Sequence, residues 1–125
     1  MAKQTVFELG GARWKLRWRK NLSTEAELGR TLGETHGIER VVYLSSKELA
    51  GKPELAKRVL FHELVHALFH MAGLDESLSA KTEESVVCAI ENLFWPLIES
   101  KKFEALLETT AKQARELEKN GGGDG

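Results

Sequence analysis

Residues 62–70 read HELVHALFH and hold three of the four histidines in the chain, each four residues from the next. Apolar residues recur through and around this stretch with the spacing of an amphipathic helix. Pro53 suits the first helical position, and Gly73 supplies a C-terminal stop. The sequence therefore predicts a long helix over residues 53–72, which is the strongest element of the fold.

His62 and His66 lie one turn apart on the same face of this predicted helix. Two neutral imidazoles at that spacing can bind one zinc ion at about 2.0–2.1 Å each. Glu63 lies beside the first histidine, where its carboxylate can reach a zinc-activated water without binding the metal. This HExxH arrangement predicts two metal ligands and a general base for the hydrolysis of a peptide or amide bond.

The alternative is a pair of hydrogen-bonded histidines on a helix that binds no metal. The remaining positions of residues 62–69 are apolar or small. Burying polar groups on such a helix without a partner is costly, and a metal ion supplies that partner. We therefore favour the metal site.

His70 continues the four-residue spacing but is not predicted to be the third ligand. At about 1.5 Å per residue, it lies about 12 Å from His62 along the helix axis. A straight helix cannot bring all three histidines to one tetrahedral ion. The pattern HExxHxxGxxH solves this by breaking the helix, but here Phe69 and Ala72 occupy its glycine and last histidine positions. We expect His70 to be a partly exposed helix residue.

The third ligand is expected from the next predicted helix, residues 82–99, which Thr82 can cap. Its first turn contains Glu83 and Glu84, and a glutamate completes the His₂Glu type of catalytic zinc site. Glu83 lies at the centre of the apolar face of this helix, and Glu84 lies at its edge. Both also stabilise the helix N-terminus through the helix dipole, so these residues alone leave the choice open.

The N-terminal part of the chain predicts a small β-sheet. Residues 5–19 read as a hairpin that turns at Gly10 and Gly11. Alternation in the second strand places its tryptophans and its basic residues on opposite faces, so the tryptophans face the core rather than a nucleic acid. Residues 23–35 look helical, and residues 38–45, IERVVYLS, look like a strand. Residues 101–119 predict a charged amphipathic helix.

Composition limits the possible partners. The length of 125 residues predicts a single domain over residues 1–119 and a disordered glycine-rich tail over 120–125. The formal net charge of -1 gives no electrostatic footprint for a nucleic acid. The single cysteine, Cys88, excludes an intramolecular disulfide and fits a reducing compartment. No signal peptide or membrane-spanning apolar run is present, so we expect a cytoplasmic protein without a membrane partner.

The HExxH helix followed by a glutamate on the next helix resembles the gluzincins. Size and layout over about residues 30–99 resemble the small zinc peptidases of phages and mobile elements, which are related to ImmA/IrrE-type metallopeptidases. Aligning E-E-S-V-V-C-A with the gluzincin pattern N-E-small-x-x-D-apolar favours Glu84 over Glu83 as the ligand. The E-A-x-x-F-A pattern of ImmA/IrrE-type proteins favours Glu84 as well.

Two departures from these patterns matter. The aspartate that orients a histidine ligand in gluzincins would fall at Cys88, which cannot play that part in the same way. The region that supplies an oxyanion-stabilising histidine or tyrosine in larger gluzincins is missing. Tyr43 and His36 are candidates for that role by chemistry alone. The resemblance also implies that residues 38–45 form the sheet edge beside the cleft and bind an extended peptide there.

The resemblance implies an α+β, zincin-like fold in which a small N-terminal β-sheet packs on the HExxH helix. Zn²⁺ is expected on His62, His66 and Glu84, with Glu63 as the base. The implied activity is a zinc metallopeptidase that acts on a peptide or protein, such as a regulatory protein; the oligomeric state stays open. The alternatives are a zinc-bound but non-catalytic protein-interaction module and a metal-free interaction protein.

Overall fold

The computed structural model describes residues 4–22 and 32–119 of the chain. The predicted disordered tail at 120–125 lies outside the described residues. The same holds for residues 23–31, which form most of the first predicted helix.

The chain divides into two compact units, Met1–Glu91 and Asn92–Gly125. The predicted metal ligands and the predicted base all belong to the first unit. The single domain predicted for residues 1–119 stays a prediction.

The first unit contains a four-stranded sheet with the strand order β1-β2-β4-β3. The strands are β1 (Gln4–Leu9), β2 (Ala12–Arg19), β3 (Gly33–His36) and β4 (Val41–Ser45). β2 and β4 run parallel, whereas the β1–β2 and β3–β4 pairs are antiparallel. The predicted hairpin is confirmed, with Gly10 and Gly11 at φ of 58° and 80° in its turn.

One face of the sheet forms the main hydrophobic core. Trp14 of β2 is fully buried there with Val42 and Leu44 of β4. The basic residues of β2 lie on the other face, as the alternation predicts. On that second face, Val41 and Tyr43 pack with Leu22 in a smaller buried cluster.

Residues 33–35, predicted as the end of a helix, instead belong to strand β3. Gly33 lies opposite Leu44 and Thr35 lies opposite Val42 in the antiparallel ladder. Residues 33–36 therefore form a hairpin with the buried strand β4, which follows after a turn over residues 37–40, and this pairing outweighs the helical pattern read for residues 33–35. The expectation that residues 38–45 form the sheet edge is wrong, because β4 pairs with both β2 and β3; among the described strands, β1 and β3 are the edges.

Five helices follow the sheet in the described residues. They are α1 (Ser46–Leu49), α2 (Pro53–Met71), α3 (Leu74–Ser77), α4 (Ala80–Glu99) and α5 (Lys102–Lys119). The predicted long helix is therefore confirmed as α2, and Gly73 follows it with φ of 75°. Helix α4 begins before Thr82, because Ser79 Oγ accepts a hydrogen bond from the Thr82 backbone N–H at 3.1 Å. Across the described ranges, no helix combines the length and apolar character that crossing a membrane requires.

Helix α2 packs on the core face of the sheet through a stripe that contains Val59 and Ala67. Glu63 lies in that stripe, one turn from each of these residues, and is buried. His62 and His66 both lie along one side of this stripe. The structure is α+β with a small sheet on α2, as predicted, and its zincin-like character stays a prediction.

Candidate metal centre

Helices α2 and α4 bring His62, His66 and Glu84 together. One ligand atom from each of the three residues lies within 4.8 Å of the others. Nε2 of His62 is 2.8 Å from Oε1 of Glu84, and Nε2 of His66 is 3.0 Å from Oε2. The carboxylate of Glu84 therefore faces both imidazoles at once.

The residues of this group fit a metal ion in number, type and spacing. Two ligands at about 2.1 Å from a tetrahedral ion lie about 3.4 Å apart. The observed nitrogen–oxygen distances of 2.8 and 3.0 Å are hydrogen-bond distances, and they are slightly shorter than this ligand–ligand separation. The side chain of Glu84 is 51% exposed, so a small outward movement makes room for the ion. His62, His66 and Glu84 can therefore hold a metal ion.

The outer nitrogen of each histidine has its own carboxylate partner. Nδ1 of His62 lies 2.7 Å from Oε1 of Glu91, and Nδ1 of His66 lies 2.5 Å from Oε2 of Glu83. An ionised carboxylate only accepts hydrogen bonds, so each Nδ1 carries the proton and donates it. Arg58 in turn forms an ion pair with Glu91. These bonds fix both rings with Nε2 toward the candidate site.

Glu83 and Glu84, which the sequence left as alternatives, contact different nitrogen atoms of the histidines. Glu84 meets the Nε2 atoms, whereas Glu83 meets the outer nitrogen of His66. The structure therefore places Glu84 between the two Nε2 atoms and Glu83 on the opposite side of the His66 ring. The ligand roles themselves stay predictions.

Charges in the site favour a bound cation. Burial disfavours the charged form of Glu84, but His62 and His66 outweigh that effect and lower the pKa of its carboxyl. Burial likewise disfavours the charged form of His66. The hydrogen bond to Glu83 and the nearby carboxylates outweigh it and raise the pKa of the imidazole. The carboxylates outnumber the imidazoles, and a divalent cation offsets that surplus of negative charge.

Glu63 lies in a tight slot between α2 and the edge strand β3. The Thr35 hydroxyl donates to Oε1 of Glu63 at 2.7 Å. A Cβ built on Gly33 would lie 2.9 Å from Cγ of Glu63, so a larger residue there would displace the side chain. Burial raises the pKa of Glu63, and the bond from Thr35 opposes that rise in part. The group that can hold a metal does not include Glu63, and the role of Glu63 as a base stays a prediction.

A cleft of about 660 Å³ opens beside this group. Its walls come from β3 and the turn after it, from the second half of α2, and from α3 and the start of α4. Glu63, His66 and Glu84 line it, and so does His70. The group that can hold a metal does not include His70, and the side chain of His70 is 37% exposed, which confirms the prediction of a partly exposed helix residue.

The rings of the two candidates for oxyanion stabilisation, Tyr43 and His36, pack edge to face with their centroids 5.0 Å apart. Tyr43 is buried on the sheet face opposite α2, and its hydroxyl accepts a hydrogen bond from Nη2 of Arg19 at 3.0 Å. The structure therefore rules it out for that role. His36 borders the cleft at the end of β3, but its ring packs on Tyr43 and its Nε2 lies 3.0 Å from Oε1 of Glu34. Cys88 donates to Oε1 of Glu84 at 3.5 Å and, within the described residues, forms no hydrogen bond with either histidine of the metal group.

Sequence reasoning missed Thr35 and Glu91. Thr35 fell in a segment assigned to a helix, so nothing suggested that it could reach Glu63. Glu91 follows Glu84 by seven residues, which is two helical turns on the same face. That spacing was a usable signal for a second carboxylate facing α2.

We predict that Glu91→Gln lowers zinc affinity by about 10–100-fold. Burial disfavours the charged form of Glu91, but Arg58 and His62 outweigh it, lower the pKa and keep the acceptor ionised. The neutral amide is a weaker acceptor, so the His62 ring is held less firmly. Competition with a chromophoric chelator measures the affinity, and Glu99→Gln, an exposed glutamate of α4, is the matched control. Equal affinities for the two variants would refute an orienting role for Glu91.

No protein-family model, no curated protein and no solved structure gives a significant match to the chain. The functional assignment therefore depends on the geometry of the site.

Proposed function

We propose that the protein is a zinc-dependent metallopeptidase. The observation that carries this proposal is the convergence of the His62 and His66 Nε2 atoms on Glu84, with Glu63 in the wall of the same cleft. A His₂Glu set is the donor set of catalytic zinc sites, and a carboxylate beside it supplies the base. The resemblance of these motifs to gluzincins supports the same assignment.

Zinc in this position supplies an acidified water and a Lewis acid for the substrate carbonyl. The Glu63 carboxylate, whose Oε1 also accepts a hydrogen bond from Thr35, would accept the proton of the attacking water. When the C–N bond breaks, Glu63 returns that proton to the leaving amine. Glu83 and Glu91 keep the histidine rings in one tautomer and one orientation.

The substrate we propose is an extended peptide, of the kind found in an exposed segment of a regulatory protein. Among the described strands, β3 pairs only with β4 and leaves its other edge open beside the cleft. An extended chain can add to such an edge through main-chain hydrogen bonds. This replaces β4 with β3 as the strand that receives the peptide.

A library of quenched fluorescent peptides tests the proposal. Chelator-treated protein should be inactive, and zinc should restore cleavage together with a content of about one ion per chain by elemental analysis. Protein that binds no zinc would refute both the metal site and the peptidase. Protein that binds zinc but cleaves no peptide would favour a zinc-bound, non-catalytic interaction module.

One observation favours that second function. Tyr43 faces away from the site, so the described residues offer no tyrosine to stabilise an oxyanion. The buried base Glu63 favours the peptidase, because a purely structural site has no need of it.

A further inference from the structure

His70 occupies the cleft without taking part in the metal group. It follows His66 by one helical turn on α2 and lines the same cleft as Glu63 and Glu84. At about 1.5 Å per residue, its Cα lies about 6 Å farther along the helix axis than that of His66. A substrate held at the metal group extends past this position if it continues along the cleft.

The His70 ring is held from two sides. Nδ1 lies 2.7 Å from Oδ2 of Asp75, at the start of α3. The ring also packs against Gly37, where an added Cβ would lie 2.4, 2.5 and 2.6 Å from Cγ, Nδ1 and Cδ2. Contacts that short would displace the ring, so only glycine at this position allows His70 to lie where it does.

These contacts leave one polar atom of the ring for another partner. The Asp75 carboxylate only accepts, so Nδ1 of the neutral imidazole carries the proton and Nε2 carries the lone pair. Within the described part of the chain, Nε2 of His70 has no hydrogen-bond partner. The other histidine beside the cleft, His36, differs because its Nε2 already contacts Glu34.

We infer that His70 is a substrate-contacting residue whose Nε2 accepts a hydrogen bond from a main-chain N–H of a peptide in the cleft. Asp75 and Gly37 are positioning residues that act through it. The inference rests on the proposed function, because it assumes that the cleft receives a peptide. It adds a peptide-binding residue that lies outside the HExxH motif and the glutamate ligand.

The test compares His70→Leu with the parent protein on the quenched fluorescent peptide library. Loss of one hydrogen bond is expected to lower kcat/KM by about tenfold, mainly through KM. Zinc content and thermal unfolding should match the parent, which separates this role from that of a ligand or a core residue. His70→Gln, which keeps a side-chain acceptor, should recover part of the loss.

The positioning residues give a second and independent readout. Asp75→Asn should weaken peptide binding, whereas Glu76→Gln, an exposed neighbour in α3, should not. Gly37→Ala should reproduce the loss caused by His70→Leu, because its Cβ displaces the ring. Peptide affinity is measured by fluorescence anisotropy in a zinc-loaded Glu63→Gln background, so the comparison does not depend on turnover.

The outcomes distinguish this inference from the proposed function. If the parent cleaves or binds peptides and folded His70→Leu matches it within twofold, the His70 inference is wrong and the peptidase proposal stands. If the parent holds zinc but neither cleaves nor binds any peptide of the library, both are wrong. If peptides are bound but not cleaved, and His70→Leu binds them about tenfold more weakly, the inference holds for the interaction module.

Discussion

Glu63→Gln is expected to abolish measurable peptide hydrolysis while the protein keeps its zinc. The amide cannot accept the proton of the attacking water, and general acid–base catalysis contributes about 10²–10⁴-fold to such reactions. Glutamine has nearly the shape of glutamate, and the Thr35 hydroxyl can still donate to its side-chain oxygen. The change therefore removes the proton transfer and leaves the slot between α2 and β3 filled.

Stability provides the control for this variant. Burial raises the pKa of Glu63, so the folded protein holds its charged form less readily than the unfolded chain does. At pH values above the pKa of Glu63 in both the folded and the unfolded chain, its buried charge therefore lowers the free energy of unfolding. The neutral glutamine removes that destabilising effect. Glu63→Gln should accordingly unfold at the same temperature as the parent or at a higher one in matched zinc-free samples.

The measurement is kcat/KM on a cleaved peptide, with zinc content determined on the same samples. Glu54→Gln is the matched control, because Glu54 belongs to the same helix, is exposed and pairs only with Lys57 among the described contacts. A Glu63→Gln protein that cleaves at the parent rate would refute the role of Glu63 as the base. Lost activity accompanied by lost zinc would instead indicate a role in holding the metal.

The parts of the site that the sequence predicted are those encoded within single helices. Pro53 and Gly73 delimit α2, and its periodicity fixes which side of each turn faces the sheet. Residues four apart on a helix must share a face, so the proximity of His62 and His66 needed no tertiary information. The choice of a glutamate ligand depends on contact between two helices, so the spacing alone left it open, and the resemblance favoured Glu84.

The parts that sequence reasoning missed depend on how the short strand β3 pairs and on the contact that it then makes with α2. Strand β3 has only four residues, and its pairing with β4 provides the context that makes it a strand. Because β3 was assigned to a helix, the contact of Thr35 with Glu63 could not be foreseen. All five residues of β4 are buried, so alternation of apolar and polar residues could not tell which face Tyr43 occupies.

Glu84→Ala is expected to cost the protein its zinc, whereas Glu83→Ala should weaken binding without eliminating it. Glu84 presents an oxygen to the Nε2 atoms of both histidines, so its removal takes away a direct ligand. Glu83 contacts only Nδ1 of His66, and removal of such an outer partner costs about 10–100-fold in metal affinity. Removal of a direct ligand should lower the metal affinity by more than about 100-fold.

Elemental analysis and chelator competition on the parent, Glu83→Ala, Glu84→Ala and His66→Ala decide between these roles. The expected order of zinc affinity is the parent, then Glu83→Ala, then the other two variants, which should retain little or no zinc. Retention by Glu84→Ala together with loss by Glu83→Ala would reverse the assignment. That result would require Glu83 to leave Nδ1 of His66 and turn toward Nε2, which in turn would leave the outer nitrogen of His66 without its carboxylate. The orientation of the His66 ring therefore connects the two assignments: whichever glutamate holds Nδ1, the other is free to bind the metal.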